Sequence, residues 1–253
     1  MNRIIAIINQ KGGSGKTTTT VNLGAYLATF GSRVLLLDLD PQANTTIHLG
    51  LKPHTIEKSI YDVMTDKIDI ETVIESTNIE GLDICPANIN LSGVEIELAG
   101  VVGREMVLKD SLENVLSKYN FVIIDCPPSL SLLTINALTV AKEIIIPVQT
   151  EFFALEGMGK LVNTVEIIKK RLNRDLQITG ILPTMFDGRT NLSKEVIDKI
   201  KEYFGDKVYI TKIRKYLKLA EASSHGKPII EYEPRSSGAE DYESLSKEVN
   251  NGN

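Results

Sequence analysis

The stretch Gln10-Lys11-Gly12-Gly13-Ser14-Gly15-Lys16-Thr17-Thr18 limits what this chain can fold into more than any other. An apolar run, Ile4-Ile5-Ala6-Ile7-Ile8, leads into it, and a helical pattern from Thr19 to Phe30 leads out. Strand, glycine-rich loop and helix, in that order, are what a phosphate-binding loop needs. Lacking Cβ atoms, Gly12, Gly13 and Gly15 let successive backbone N–H groups curl around an anion. The helix then presents its positive dipole end to the same point. Lys16 brings a full charge to the β and γ oxygens of a nucleotide, and Thr17 a hydroxyl for Mg2+. The expected nucleotide contacts are Lys11, Gly12, Gly13, Ser14, Gly15, Lys16, Thr17 and Thr18. The spacing departs from G-x-x-x-x-G-K-[ST]: Gln10 stands where that pattern has glycine, and a second lysine, Lys11, opens the loop.

Two further segments end in carboxylates. Leu35-Leu36-Leu37-Asp38-Leu39-Asp40 is closed by Pro41, and Phe121-Val122-Ile123-Ile124-Asp125 by Cys126-Pro127-Pro128. In open α/β sheets, ligands bind at the C-terminal edge of the strands, where these acids would stand. Asp38 and Asp40 are two apart in an extended segment and so share a face. Asp125 ends an apolar strand in the Walker B manner, placed to hold Mg2+.

Apolar runs recur at residues 4–8, 34–37, 82–85, 121–124, 143–148 and 178–182, with helical patterns between most of them. That alternation predicts one α/β domain over residues 1–253, a mostly parallel twisted sheet with helices on both faces. Val21, Gly24, Leu27 and Ala28 form a short stripe on the first helix, and Gly31 stops it. Residues 52–80 are polar and irregular, which predicts a short helix and a connection on the rim. Tyr242, Leu245 and Val249, at i, i+3 and i+7, make a stripe suited to docking a terminal helix. The opposite face carries Glu243, Lys247 and Glu248, so this is not a membrane-seeking helix.

Cys85 and Cys126 lie in separate apolar runs, which predicts buried free thiols in a reducing cytosol. Three unclustered histidines give no zinc spacing. No signal peptide is expected at the start, and no apolar run reaches the ~20 residues of a membrane span.

Taken together, K-G-G-S-G-K-T, the D-x-D-P-Q-x-N string from Asp38 to Asn44, and Asp125-Cys126-Pro127-Pro128-Ser129 with Leu132-Leu133-Thr134-Ile135-Asn136 resemble the ParA/MinD family of P-loop ATPases with a deviant Walker A loop. Within that family the chain resembles the ParA/Soj branch, which partitions chromosomes or plasmids. The resemblance runs from residue 1 to about residue 249. It implies ATP and Mg2+ as cofactors and catalytic roles for Lys11, Lys16 and Asp40. Lys11 would reach the partner's nucleotide across a sandwich homodimer. Asp40 would lie near the attacking water and the metal, with Thr17 and Asp125 as the other metal-site residues and Asp38 as a structural acceptor behind. The D-C-P-P-S string corresponds to switch II, with Ser131 where many relatives have glycine. Residues 144–151 with Ala154-Leu155-Glu156-Gly157 would form a strand and a segment at the dimer face. Pro183 and Thr184 would border the nucleotide base.

The net charge of −5 argues against a uniformly DNA-coating protein, but the charge is uneven. Residues 187–227 hold ten basic side chains against six acidic ones. Such a surplus suits sequence-independent, salt-sensitive contact with phosphates. The family resemblance matches Arg189 and Lys218 to positions that bind double-stranded DNA non-specifically, and the basic run adds Arg214 and Lys215 as DNA-binding candidates. Relatives commonly read I-P-R-N-V-R-L-S-E-A-P-S where this chain reads Ile213-Arg214-Lys215-Tyr216-Leu217-Lys218-Leu219-Ala220-Glu221-Ala222-Ser223-Ser224. Arg214 is an added cation there. The resemblance further implies a ParB-like centromere-binding partner that stimulates hydrolysis, a cytoplasmic, nucleoid-associated location and no membrane partner. Three other functions fit the same motifs: an ATPase that positions another cargo, a small-molecule phosphotransferase or ligase, and a DNA-binding repressor that does not hydrolyse ATP.

Overall fold

The computed structural model describes residues 2–151 and 157–252. The strands are β1 (Arg3–Ile7), β2 (Val34–Asp38), β3 (Glu75–Ser76), β4 (Leu82–Cys85), β5 (Phe121–Asp125), β6 (Glu143–Gln149) and β7 (Gln177–Thr184). The first helices are α1 (Lys16–Thr29), α2 (Asn44–His48), α3 (Ile60–Thr65), α4 (Val94–Glu97), α5 (Val107–Leu112) and α6 (Leu132–Val140). Then come α7 (Met158–Arg171), α8 (Asn191–Phe204), α9 (Leu217–Ser224), α10 (Ile229–Tyr232) and α11 (Ser237–Asn250).

The strands form one sheet in the order β3-β4-β2-β5-β1-β6-β7, parallel except for β3. The central strands β2 and β5 are buried along their whole length and β1 and β6 at all but their first residue, which is why they read as near-continuous apolar stretches. Ile4 and Ala6 of β1 face one core layer with Leu35, Leu37, Val122 and Ile124. Ile5 and Ile7 face the other, with Val34, Leu36 and Ile123. The parallel α/β sheet expected from the runs is present, and each run lies within a strand or overlaps one. The strand missed is β3, two residues at the edge with no apolar run to announce them.

The first helix differs from expectation. It begins at Lys16, and residues 19–28 are all buried, so it has no single apolar stripe. The cause is its place: α1 lies between the sheet and α11, with α2 and α10 on its flanks. Gly24 takes it close to the sheet, since a Cβ there would lie 2.7 Å from a Leu36 methyl. Gly31, at φ +87°, ends it: Gly31 N–H donates to Ala28 and Ser32 N–H to Leu27, closing the last turn.

The terminal helix docks as expected. Tyr242, Leu245 and Val249 are buried, and the Tyr242 hydroxyl lies 3.2 Å from Thr19 Oγ1. Arg3 extends the clamp with a guanidinium bond to the Val249 carbonyl and a two-pronged pair to Glu143 at 2.7 Å. Cys85 and Cys126 are free and buried. Among the described residues no helix is long and apolar enough to cross a membrane. The expected dimer-face residues Ala154, Leu155 and Glu156 lie outside the described residues.

Candidate nucleotide site

The phosphate loop joins β1 to α1, and its carbonyls are held from outside. Gln149 Nε2 donates to Gly13 O at 2.7 Å, and Thr184 Oγ1 to Ser14 O at 2.9 Å. Gly13 and Gly15 sit at φ +71° and +92°, which a side chain would strain. The first intrahelical bond runs from Thr19 N to Gly15 O, 2.9 Å, so the amides of Lys16, Thr17 and Thr18 have no partner within α1. Such free amides at a helix start suit an anion.

These groups open on a cavity of about 590 Å³ whose lining includes Gly12, Lys16, Thr17, Asp40, Asn44 and His48. Lys16 is only 7% exposed. Burial lowers its pKa, opposed by the charges of Asp125 and Asp40. A buried, underpaired ammonium facing a cavity calls for an anion.

The two acid-ended strands are hydrogen-bonded neighbours, with Asp38 opposite Asp125. Their roles diverge. Asp38 is fully buried and holds the chain that follows: it accepts from Thr46 N (2.8 Å), Thr46 Oγ1 (2.7 Å) and Asp40 N (3.2 Å). It is a structural acceptor, as the sequence implied. Burial, then the Asp125 charge, push its carboxyl up to about 7. Asp125 Oδ2 accepts from Thr17 Oγ1 and Thr45 Oγ1, each at 2.7 Å. Burial raises it to about 6, while the two threonines and Lys16 oppose the rise. Asp40 lines the cavity, with one oxygen capping Gln42 N at 2.9 Å.

The donor set of Thr17, Asp125 and Asp40 is hydroxyl and carboxylate oxygen, which fits Mg2+. Among the described residues no group of three or more His, Cys, Asp or Glu could hold a metal by itself. A metal here would complete its shell with phosphate oxygens and water, as Mg2+ does in nucleotide sites.

Lys11 is the exception in the loop. Its side chain is 42% exposed, pairs with Glu151 at 3.1 Å, and is not among the residues lining the cavity.

A family model described as AAA domain matches residues 2–178. The chain is 56% identical over 249 residues to the sporulation initiation inhibitor protein Soj of Bacillus subtilis, covering 98% of each chain. It is 46% identical to the chromosome-partitioning ATPase Soj of Treponema pallidum, covering 98% of this chain and 97% of that one. The chain belongs to the ParA/Soj family of partitioning ATPases. Solved structures agree in fold. A cobyrinic acid a,c-diamide synthase from Mycobacterium smegmatis, with a bound ATP analogue and magnesium, superposes at a TM-score of 0.88. It is 35% identical and covers 98% of this chain and 94% of its own. The cell division ATPase MinD of Pyrococcus furiosus superposes at 0.82 with 25% identity, each chain 99% covered.

A second cavity, of about 470 Å³, adjoins the first, sharing Gly15, Thr18, Met185 and Ala220 with it. Thr184 lines it, along with Ile213, Tyr216 and Tyr242. Pro183 does not; its carbonyl accepts from Ile213 N at 2.9 Å and so fixes the far wall.

The basic residues of this ParA/Soj-family chain are brought together by backbone pairing. Phe186 N donates to Ile213 O and Lys215 N to Phe186 O, tying the Arg189 loop to the segment before α9. Arg189 is 90% exposed beside Asp187, and Lys215 is exposed. Lys218 pairs with Glu221 at 2.7 Å. Arg214 is both exposed, its side chain at 45%, and engaged. Its guanidinium bonds Asp241, Glu240 and the Ser237 carbonyl, so its charge is matched within the protein. Ser131 at the start of α6 sits at φ −81°, where glycine has no advantage.

Sequence reasoning missed Thr45, Thr46, Gln149 and His48. Each meets the site through a contact distant in sequence or through cavity placement, which no local pattern signals. His48 is buried, and among the described residues neither ring nitrogen has a partner in good hydrogen-bond geometry, the Lys227 backbone being the polar group that acts on it. Burial lowers its pKa to about 4, and hydrogen bonding with the Lys227 backbone opposes the fall. The unfolded chain therefore binds this proton first, and stability is lost as pH falls from about 6.5 to about 4. We expect His48→Leu to remove up to about 3 kcal/mol of that acid loss. Urea unfolding of both proteins at pH 7 and pH 4.5 checks this; parallel losses in the two would refute it.

Proposed function

We propose that ATP and Mg2+ close two copies of this chain into a sandwich dimer whose joined basic surfaces hold non-specific duplex DNA. A ParB-like partner then stimulates hydrolysis and releases the DNA, partitioning a chromosome or plasmid. The observation that carries the dimer is Lys11: a loop lysine that is solvent-facing and absent from its own cavity wall. Across an interface it would meet charge developing on the partner's leaving diphosphate. Lys16 and the loop amides hold the β and γ phosphates, and the second cavity takes the base. Thr17, Asp125 and Asp40 would hold Mg2+, which when bound neutralises phosphate charge. Asp40 also orients the attacking water. Dimerisation raises DNA affinity through effective concentration, without new contacts. The protein would then be cytoplasmic and nucleoid-associated.

Sedimentation with ATP or ADP, with and without random-sequence duplex, tests the scheme. A dimer with ATP alone, shifting further on DNA, is expected. A monomer under saturating ATP and Mg2+ with hydrolysis blocked would sink it.

Arg189→Glu with Lys218→Glu is expected to weaken DNA binding at least about tenfold at low salt, and to flatten its salt dependence, because two phosphate contacts become repulsions. ATP-dependent dimerisation should survive. Filter binding across a salt series measures it; unchanged affinity would remove these residues from the surface.

The mycobacterial neighbour favours a second reading, since its name is that of a small-molecule synthase. ATP turnover that ignores DNA and a ParB-like protein but rises with a carboxylic acid metabolite would favour that reading.

A further inference from the structure

One buried carboxylate grips both the backbone and the side chain of a single residue on a neighbouring segment. Asp241, whose side chain is 10% exposed, accepts from Arg214 N at 2.8 Å. It also accepts from Arg214 Nε at 2.9 Å and 3.1 Å. Arg214 Nη2 lies 2.8 Å from the same carboxylate and also bonds Ser237 O and Glu240, each at 3.0 Å. The grip joins α11 to the segment 213–217, which forms one wall of the second cavity. Gly15, Thr18 and Thr184 stand in that cavity's lining from the loop, α1 and β7. The next residue of α11, Tyr242, lines the same cavity and meets Thr19 of α1. Adjacent residues of α11 therefore fasten two sides of the cavity, Tyr242 to α1 and Asp241 to segment 213–217.

We propose that Arg214 and Asp241 form a clasp that sets the width of the base slot, making Arg214 a positioning residue for the nucleotide and not a DNA contact. This rests on the second cavity being the base slot. The sequence departure noted above has the same logic. Where the common pattern has proline, a ring fixes φ covalently. Here arginine stands, and hydrogen bonds to α11 do the fixing. Both ends of the fork matter: a planar guanidinium meets a carboxylate in two places at once, which an ammonium cannot do. With Asp241 and Glu240 both at hand, a phosphate backbone would have to compete with two carboxylates for a guanidinium whose side chain is 45% exposed.

The test compares ATP with tripolyphosphate, which has the phosphates and no base, by calorimetric titration in Mg2+. The parent protein should prefer ATP. Arg214→Lys keeps the charge and loses the fork. We expect its ATP affinity to fall about tenfold, while tripolyphosphate affinity stays within about twofold, as expected when a positioning contact is lost. Simple destabilisation would weaken both ligands alike. Arg214→Ala serves as a second variant with the same expectation. At saturating ATP, its slope of DNA affinity against salt should match the parent's, whereas Lys215→Ala should lower that slope by about one. A parent that prefers ATP and an Arg214→Lys variant with the same preference would overturn the clasp and leave the base slot standing. A drop in salt slope for Arg214→Ala equal to that of Lys215→Ala would also overturn it. A parent with no preference for ATP would overturn the slot, and the clasp with it.

Discussion

Lys16→Ala is expected to abolish measurable ATP binding at micromolar protein. Lys16 as a residue is 7% exposed and lines the phosphate cavity, so its ammonium is partly desolvated before any ligand arrives. Contacts from such a charge to phosphate oxygens are of the strong, charge-assisted kind. Losing them should cost about 3 kcal/mol or more, roughly a hundredfold in affinity. The same substitution should leave the unliganded protein as stable as before, or more so. Burial lowers the Lys16 pKa in spite of Asp125 and Asp40, so desolvation outweighs their attraction. Calorimetric titration together with urea unfolding separates the two effects. Tight ATP binding by a folded Lys16→Ala protein would refute the phosphate-loop assignment.

Asp40→Ala should behave differently. We expect it to bind ATP and to dimerise, while hydrolysis falls by about two to three orders of magnitude, the usual weight of a group that orients or deprotonates a nucleophile. The backbone around Asp40 does not depend on its own carboxylate alone. Asp38 accepts Asp40 N and holds Thr46, and Thr45 is tied to Asp125. Among the described residues, the one hydrogen bond lost is the cap on Gln42 N. Single-turnover hydrolysis on protein shown to be dimeric by sedimentation is the measurement. Normal turnover would remove Asp40 from the mechanism, and a monomeric variant would make it a structural residue instead.

The contrast between Asp38 and Asp40 shows how far a local pattern reaches. Their shared spacing at a strand end places both near the ligand edge of the sheet. What separates them is Thr46, eight residues from Asp38 and turned back onto it by α2, whose first residue follows Ala43 at φ +53°. The two threonines on Asp125 show the same limit. Thr17 is contiguous with the loop motif and was legible. Thr45 reaches the same oxygen from a segment 80 residues away, with no motif to mark it. Arg214 shows the same limit. Charge counting makes it part of a basic surface, yet a carboxylate 27 residues on takes up its fork.

The sequence alone determined six of the seven strands, the phosphate loop and the family, because each is written in adjacent residues. Apolar runs bury on both faces, glycines permit φ values that other residues resist, and a lysine and threonine at the start of a helix need only the backbone to place them. Tertiary structure decided which charges face a ligand and which are matched inside. It set Gln149 and Thr184 to hold the loop carbonyls, buried His48, and paired Arg214 with α11 and Lys11 with Glu151 while leaving Lys215 exposed. A side chain's availability depends on what the folded chain brings within about 3 Å of it, and residues far apart in sequence supply most of those partners.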